Sequence, residues 1–295
     1  MKVCDAAGAQ EVQLRGRRFA TEADITRHFS NGFGSGAGNS YKPWLRVQDV
    51  PSLGHSRKVH GAKVDRIHHL LSNLEHAAFL VSEFSEEVVD IREQFPLLPR
   101  GNAQAIASTM GIRYPLYPKT SLPVVMTTDL LLTVRVSNGS HKQIAWSVKY
   151  KKDLENLRTI EKLQIEKEFW NSQGVEWSII TQEQFTTDLI NNLVVLRKFS
   201  DIPNALLQSD LIDEFLYYLE QCSGHGWRTD AALRKIASKL YLPYGDAKTL
   251  YHHLIWSKRI KVDLAIAPIQ TGLPLPPFEI VDTVKVQTLN TGEAI

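Results

Sequence analysis

The sequence predicts an α/β fold: a mixed sheet with helices packed against it, followed by a smaller helical domain. Three observations predict it. Two apolar runs flank SNGS (137–140), which carries the Asn-Gly pair favoured in tight hairpins. The segment EVVDIREQFPLLP (87–99) alternates until it meets its prolines, as a strand does. After residue 187 the strand rhythm gives way to helical patterns.

The elements follow in chain order. Residues 1–40 read as a flexible N-terminal region, and SNGFGSGAGNS (30–40) as a Gly/Ser-rich loop. No G-K-[ST] closes that stretch, so it is not a P-loop. YKPWLRVQDVPS (41–52) reads as extended or irregular. Residues 66–84 show a helical stripe of Leu70, Leu71, Leu74, Ala77, Ala78 and Val81, with Glu75 at its edge. The proline- and glycine-punctuated section 99–123 reads as irregular. Strands follow at about 124–136 and 142–150, a helix at 154–172 ending near Gly174, and a strand at 175–181. These make a first domain at 41–185. A connecting helix at 187–199 leads to helices at 206–222, 230–242 and 245–260 and an extended run at 261–267. Three helices and a strand suggest a helix-turn-helix with a wing, a second domain at 188–280 with a tail at 281–295.

Composition narrows the class. The 295 residues are 43% hydrophobic and 22% charged, a globular composition long enough for two domains. No apolar run reaches transmembrane length, and MKVCDAAGAQ lacks a signal-peptide core. Cys4 and Cys222 support neither a disulfide framework nor a cysteine zinc site, so a reducing cytoplasm is expected. Net charge is only +2, but residues 11–70 carry ten Lys/Arg against five Asp/Glu. Such a region can meet phosphate or can simply be a solvated surface.

The chemistry lies in the hairpin. A loop centred on Gly139 would oppose Asp129 and Lys149 and put Ser147 on the same face. A two-residue Asn138-Gly139 loop would turn the lysine away, so a three-residue loop, a five-residue loop or a bulge is required. Glu75 is a second carboxylate with a reason to be near, because its helix can lie on the sheet. Glu, Asp and Lys together recur in phosphodiester cleavage. The carboxylates hold one or two Mg²⁺ ions, and the lysine handles the attacking water or the charge of the transition state. The plainer alternatives are a salt bridge for Asp129 and Lys149 and a Ser72-x-x-Glu75 capping box. His68-His69 and His252-His253 lack the spacing of a helical metal pair. No G-x-S-x-G or G-x-G-x-x-G motif is present.

Taken in order, YKPWLRVQDVPS, RIHHLLSNLEHAAFL, VVDIREQFPLLP, MTTDLLL, SVK and RTIEKLQIEKEFW resemble the TnsA family over about residues 40–182. That family is the endonuclease subunit of heteromeric bacterial transposases. The resemblance implies a restriction-endonuclease-like catalytic domain followed by a winged-helix-like domain. It implies cleavage at the 5′ ends of a transposon, with a DDE-type transposase acting on the 3′ ends and an AAA+ ATPase regulator docking on the C-terminal part. By motif it makes Glu75, Asp129 and Lys149 catalytic. It implies metal at Glu75, Asp129 and the Val148 carbonyl, two Mg²⁺ ions with Mn²⁺ able to substitute, and a cytoplasmic bacterial setting. The family's strand often reads Q-x-K or E-x-K, whereas this chain has Ser147. Lys42, Arg46, Arg57, Lys58, Lys63 and Arg66 are expected to track transposon-end DNA. Helix 245–260 would either enter a groove with Lys248, Lys258 and Arg259 or dock protein with Asp246, Tyr251, Leu254 and Trp256. The rival functions are a stand-alone restriction-like or resolvase-like nuclease and a non-catalytic DNA-binding adaptor.

Overall fold

A computed structural model describes residues 19–50 and 55–281. Two compact units divide the chain: residues 1–76 with 89–179, and residues 77–88 with 180–295.

The first unit begins with helix α1 (Glu22–Ser30). Thr21 caps it: the Asp24 N–H donates to Thr21 Oγ1 at 3.3 Å, and the Thr21 N–H donates to Asp24 Oδ2 at 3.0 Å. The Gly/Ser-rich stretch after it is built into the fold rather than being a loose linker. Phe33 and Ser35 bridge to Lys42, and Gly38–Ser40 form a 3₁₀ turn. Gly34, at φ +77°, lies so close to its neighbours that a Cβ would stand 2.5 Å from Pro96 Cγ and 3.1 Å from Trp44 Cε3. The glycines here allow close approach. Phe19, Trp44, Leu122 and Val125 form the small core that this segment covers.

Strands β1 (Arg57–His60) and β2 (Ile67–Leu70) pair antiparallel, with Arg57 against Leu70 and His60 against Ile67. The expected helix from residue 66 therefore starts later, as α2 (Asn73–Phe84). Period two wins over 67–70: His68 and Leu70 are buried while Ile67 is exposed. Ser72 then opens the helix, its Oγ accepting the Glu75 N–H at 3.0 Å.

Strand β3 (Val88–Pro96) leads into helix α3 (Arg100–Thr109), which replaces the first part of the section expected to be irregular over 99–123. Only two alanines, Ala103 and Ala107, are fully buried on α3. So short and small a stripe is hidden among flanking prolines and glycines. Strands β4 (Thr127–Arg135) and β5 (His141–Val148) form the hairpin, helix α4 (Leu157–Asn171) follows, and strand β6 (Glu176–Ile180) closes the sheet in the order β3-β4-β5-β6. Asn156 caps α4 by accepting the Thr159 N–H at 3.2 Å. Leu131 and Ala145 of the sheet bury against Ile165, Phe169 and Trp170 of α4 and Ala103 and Ala107 of α3. This α/β arrangement is consistent with a restriction-endonuclease-like domain.

The second unit holds α5 (Thr187–Leu196), α6 (Ser209–Glu220), α7 (Thr229–Lys239) and α8 (Tyr244–Trp256). A two-stranded sheet follows, β7 (Ile260–Val262) with β8 (Phe278–Ile280). The strand expected over 261–267 is thus shorter, and its remainder is pinned by a side chain. Buried Asn192 donates to the Leu264 and Ala267 carbonyls at 2.9 and 2.8 Å and accepts the Ile269 N–H at 2.7 Å. Leu193, Phe215, Leu233, Leu250, Tyr251 and Leu254 are core here. Tyr251 and Leu254 therefore cannot belong to a docking face. Apart from Val281, the expected tail lies outside the described residues, as do residues 1–18 of the expected N-terminal region.

Gly34→Ala and Gly111→Ala separate close approach from backbone strain. Both sit at positive φ, but nothing lies within 4 Å of a Cβ at Gly111. Gly111→Ala should cost about 1 kcal/mol for the backbone alone. Gly34→Ala should cost about 1–3 kcal/mol more from overpacking. Urea unfolding of the two variants measures the difference; equal losses would mean that Pro96 and Trp44 yield freely.

Candidate active site

The hairpin register sets the site. Leu130 pairs with Trp146 and Arg135 with His141, so the turn centres on Asn138, not on Gly139. The Val136 N–H donates to the Ser140 carbonyl at 2.9 Å, leaving a three-residue loop with Gly139 at φ +80°. A three-residue loop was one of the required solutions, but the pairing is displaced. Continuing the register puts Asp129 across from Ser147, with Lys149 beyond the end of β5. An even displacement preserves the face, and the lysine still arrives.

Asp129 gathers the site around one carboxylate. Its Oδ2 accepts the Val148 N–H at 2.7 Å and the Lys149 ammonium at 2.6 Å. The same ammonium donates to the Val148 carbonyl at 3.0 Å. The lysine side chain is 31% exposed and that of Asp129 13%, so this pair faces an opening rather than the interior. Burial pulls the Lys149 ammonium down, but Asp129, helped by Glu166 and Glu75, outweighs it and holds it above the ordinary lysine value.

Glu75 comes from the first turn of α2. Its Oε2 accepts the Leu71 N–H at 2.9 Å, so the carboxylate ties back the start of its own helix. The capping and catalytic readings of Glu75 are therefore compatible. Gln94 links it to Asp129: Nε2 lies 3.4 Å from both Glu75 Oε2 and Asp129 Oδ1. Gln94 sits at φ +48°, a strained conformation, with its Oε1 accepting Thr127 Oγ1–H at 3.0 Å. Burial, and then the charge of Asp129, raise Glu75 to about 7.

A third carboxylate escaped the sequence reading. Glu166 of α4 is buried, and burial followed by the Asp129 charge raises it to about 7. With Asp129, Lys149, Thr127, Lys152 and Lys162 it lines a cleft of about 630 Å³. Its signal was a charged residue between Ile165 and Phe169 on the apolar side of a helix. That signal is weak, because charges at such edges are common. A smaller adjoining cleft is lined by Arg113, Arg158 and Lys162.

The basic residues expected to track DNA disperse. Lys42 donates to the Asn31 carbonyl at 3.2 Å, and Arg46 pairs with Asp49 at 3.0 Å. Arg57 reaches Asn73 and His76 at the start of the helix that carries Glu75. Lys58 is exposed and Lys63 half-buried. Arg66 departs from the expectation: it is buried, donating to Glu93 Oε1 and Oε2 at 2.9 and 2.6 Å. Its guanidinium balances a core carboxylate and cannot serve phosphate. Asp90 and Arg92 pair at 3.4 Å and bind Gly38 N–H and Thr133, bracing the sheet away from the cleft.

Residues 85–182 match the family described as "TnsA-like endonuclease N terminal". Over 173 residues the chain is 40% identical to the Escherichia coli protein "Transposon Tn7 transposition protein TnsA". That similarity covers 59% of this chain and 62% of the relative, so the chain spans less than two thirds of the relative's length. Asp129, Lys149 and Glu166 fall within the family match, and Glu75 precedes it.

The raised Glu166 gives stability a pH dependence. Unfolded, the group titrates near 4.5, and folded near 7. Between those values the native state holds more protons, so stability falls as pH rises through the window. The loss is complete above it, at about 3 kcal/mol. Glu166→Gln keeps an acceptor and removes the charge. Relative to the parent it should gain up to about 3 kcal/mol more at about pH 8 than at about pH 5. Urea unfolding at both pH values checks this; a pH-independent difference would show an ordinary carboxyl.

Proposed function

We propose, from the similarity of residues 85–182 to the TnsA-like endonuclease N-terminal family, that this chain is a Mg²⁺-dependent DNA endonuclease of cut-and-paste transposition. It cuts at the 5′ ends of its element, with a DDE-type transposase completing the 3′ ends. The observation that carries this reading is the meeting of Asp129, Lys149 and Glu75, from three separate elements, at the end of one hairpin.

The donor set suits magnesium. Asp129, Glu75 and the Val148 carbonyl would hold the ion. Among the described residues no three His, Cys, Asp or Glu side chains form a closed metal cage. Mg²⁺ needs none, since it keeps several waters and shares the remaining positions between one or two carboxylates and substrate phosphate. When bound it supplies Lewis-acid stabilisation and an acidified water. Burial first, and then the charge of Asp129, raise Glu75 and Glu166 to about 7, and a cation at Asp129 would relieve the second of these causes. The Lys149 ammonium, fixed on Asp129, orients the attacking water or neutralises charge growing on the phosphoryl oxygens.

Lys152 and Lys162 of the cleft, with Arg57, Lys58, Lys63, Lys42 and Arg46, contact the DNA backbone in this reading. Such contacts position the duplex without reading it, so the partner transposase selects the site. The second unit is read as winged-helix-like and as the docking place of an AAA+ ATPase regulator. Ion pairs just beyond α8 favour docking over groove reading: Lys258 pairs with Glu86 and Arg259 with Asp213, each at 3.6 Å. Tyr241, between α7 and α8, is 96% exposed and offers an aromatic anchor.

Asp129→Ala in the assembled complex should abolish 5′-strand breaks while assembly persists. Lys149→Ala should slow them about 10²–10³-fold. End-labelled transposon DNA resolves the two strands. Undiminished 5′ cutting by Asp129→Ala would leave an adaptor role, and cutting of plain duplex by the chain alone would favour a stand-alone nuclease.

A further inference from the structure

The fold places Gln94 between two carboxylates at the expense of its backbone. The residue lies within β3 yet adopts φ +48°, the left-handed region that a residue with a side chain enters only under strain. Kinks of this kind in a strand re-aim a side chain. Here the side chain is buried, and both ends of its amide are engaged. Oε1 accepts the Thr127 hydroxyl at 3.0 Å, from the strand that carries Asp129. Nε2 is thereby turned to Glu75 Oε2 and Asp129 Oδ1, 3.4 Å from each.

The chemistry of this link singles out an amide. Glu75 and Asp129 carry like charges that favour their swinging apart. One amide nitrogen has two N–H donors, one for each carboxylate, and brings no charge. A hydroxyl has a single donor. An ammonium would neutralise the pair and stand where a cation would go. Asp129 Oδ2 is already taken by the Val148 N–H and the Lys149 ammonium, so Gln94 is what holds Oδ1 toward Glu75. Both amide bonds are long enough to yield as the carboxylates draw in on an ion.

We propose that Gln94 is a positioning residue: its amide holds Glu75 and Asp129 side by side, so that the two carboxylates meet a divalent ion together. The strained backbone at 94 is the local cost of that placement, and the gain falls on metal affinity rather than on folding. The proposal rests on the metal-dependent reading of the site.

The test is Mn²⁺ titration of the full chain by calorimetry, without DNA, on the parent, Asp129→Ala, Gln94→Ala, Gln94→Gly and Gln94→Asn, each also melted to follow folding. Ala and Gly both remove the amide, but only Gly relieves the backbone. Asn tolerates a left-handed backbone and keeps an amide, one methylene too short to span the pair. All three Gln94 variants should weaken Mn²⁺ about 10–100-fold, as loss of a ligand-orienting partner does, while Gly melts above Ala. Mn²⁺ affinity that instead follows the melting temperature, higher in Gly than in Ala, overturns the proposal and leaves Gln94 a residue of the fold alone. Parent-like affinity in all three overturns it too, and leaves the nuclease reading standing if Asp129→Ala abolishes binding. Equal binding by the parent and Asp129→Ala, or none by either, overturns the metal-dependent reading and this proposal with it.

Discussion

Everything at the candidate site depends on the Asp129 carboxylate being held by the end of the neighbouring strand. Val148 N–H and Lys149 ammonium both donate to Oδ2. That is possible only if β4 and β5 pair so that the lysine clears the last rung on the aspartate's side. Side-chain direction has period two along a strand, so a slip of one residue would send Lys149 to the opposite face. The slip is prevented at the far end of the hairpin. Asn138 Oδ1 accepts the Ser140 N–H at 2.9 Å, and Gly139 takes the positive φ that the three-residue loop needs. A turn at 137–139 thereby determines the chemistry available at 149.

How much of this was legible follows from what kind of signal each part carries. The hairpin, α4 and the helices of the second unit rest on strong local periodicity, and each is found near its expected place. The face shared by Asp129 and Lys149 was legible because parity survives a displaced register. The partner across from Asp129 was not, because it depends on how the loop closes. Helix α3 was hidden because Ala103 and Ala107 bury little surface and so leave little trace. Strand β2 was hidden because Leu70 and Leu71 satisfy a helical stripe and a strand equally well in isolation. Only its pairing with β1 decides between them.

Arg66 and Glu166 escaped for a different reason. A basic residue in a basic region reads as surface, and a glutamate on an amphipathic helix reads as solvated. Each is buried because a distant residue satisfies it, Glu93 for Arg66 and Ser147 with Thr128 for Glu166. Glu93 shows what a fully answered core carboxylate is like. Despite burial, hydrogen bonds from Arg66 and His68 bring it down to about 2. Sequence spacing cannot report such long-range compensation, since residues 66 and 93 become neighbours only through the fold.

Glu93 and the carboxylates around Asp129 differ in how their charge is met. Glu93 has a guanidinium of its own, whereas the Lys149 ammonium pairs with Asp129 and feels the charges of Glu166 and Glu75 besides. Hydroxyls and an indole N–H orient Glu166 but bring no charge. Both raised glutamates are pushed up by burial first and by the charge of Asp129 second. One carboxylate is answered within the core by its own guanidinium, whereas Asp129 and Glu166 line an open cleft together with Lys149, Lys152 and Lys162.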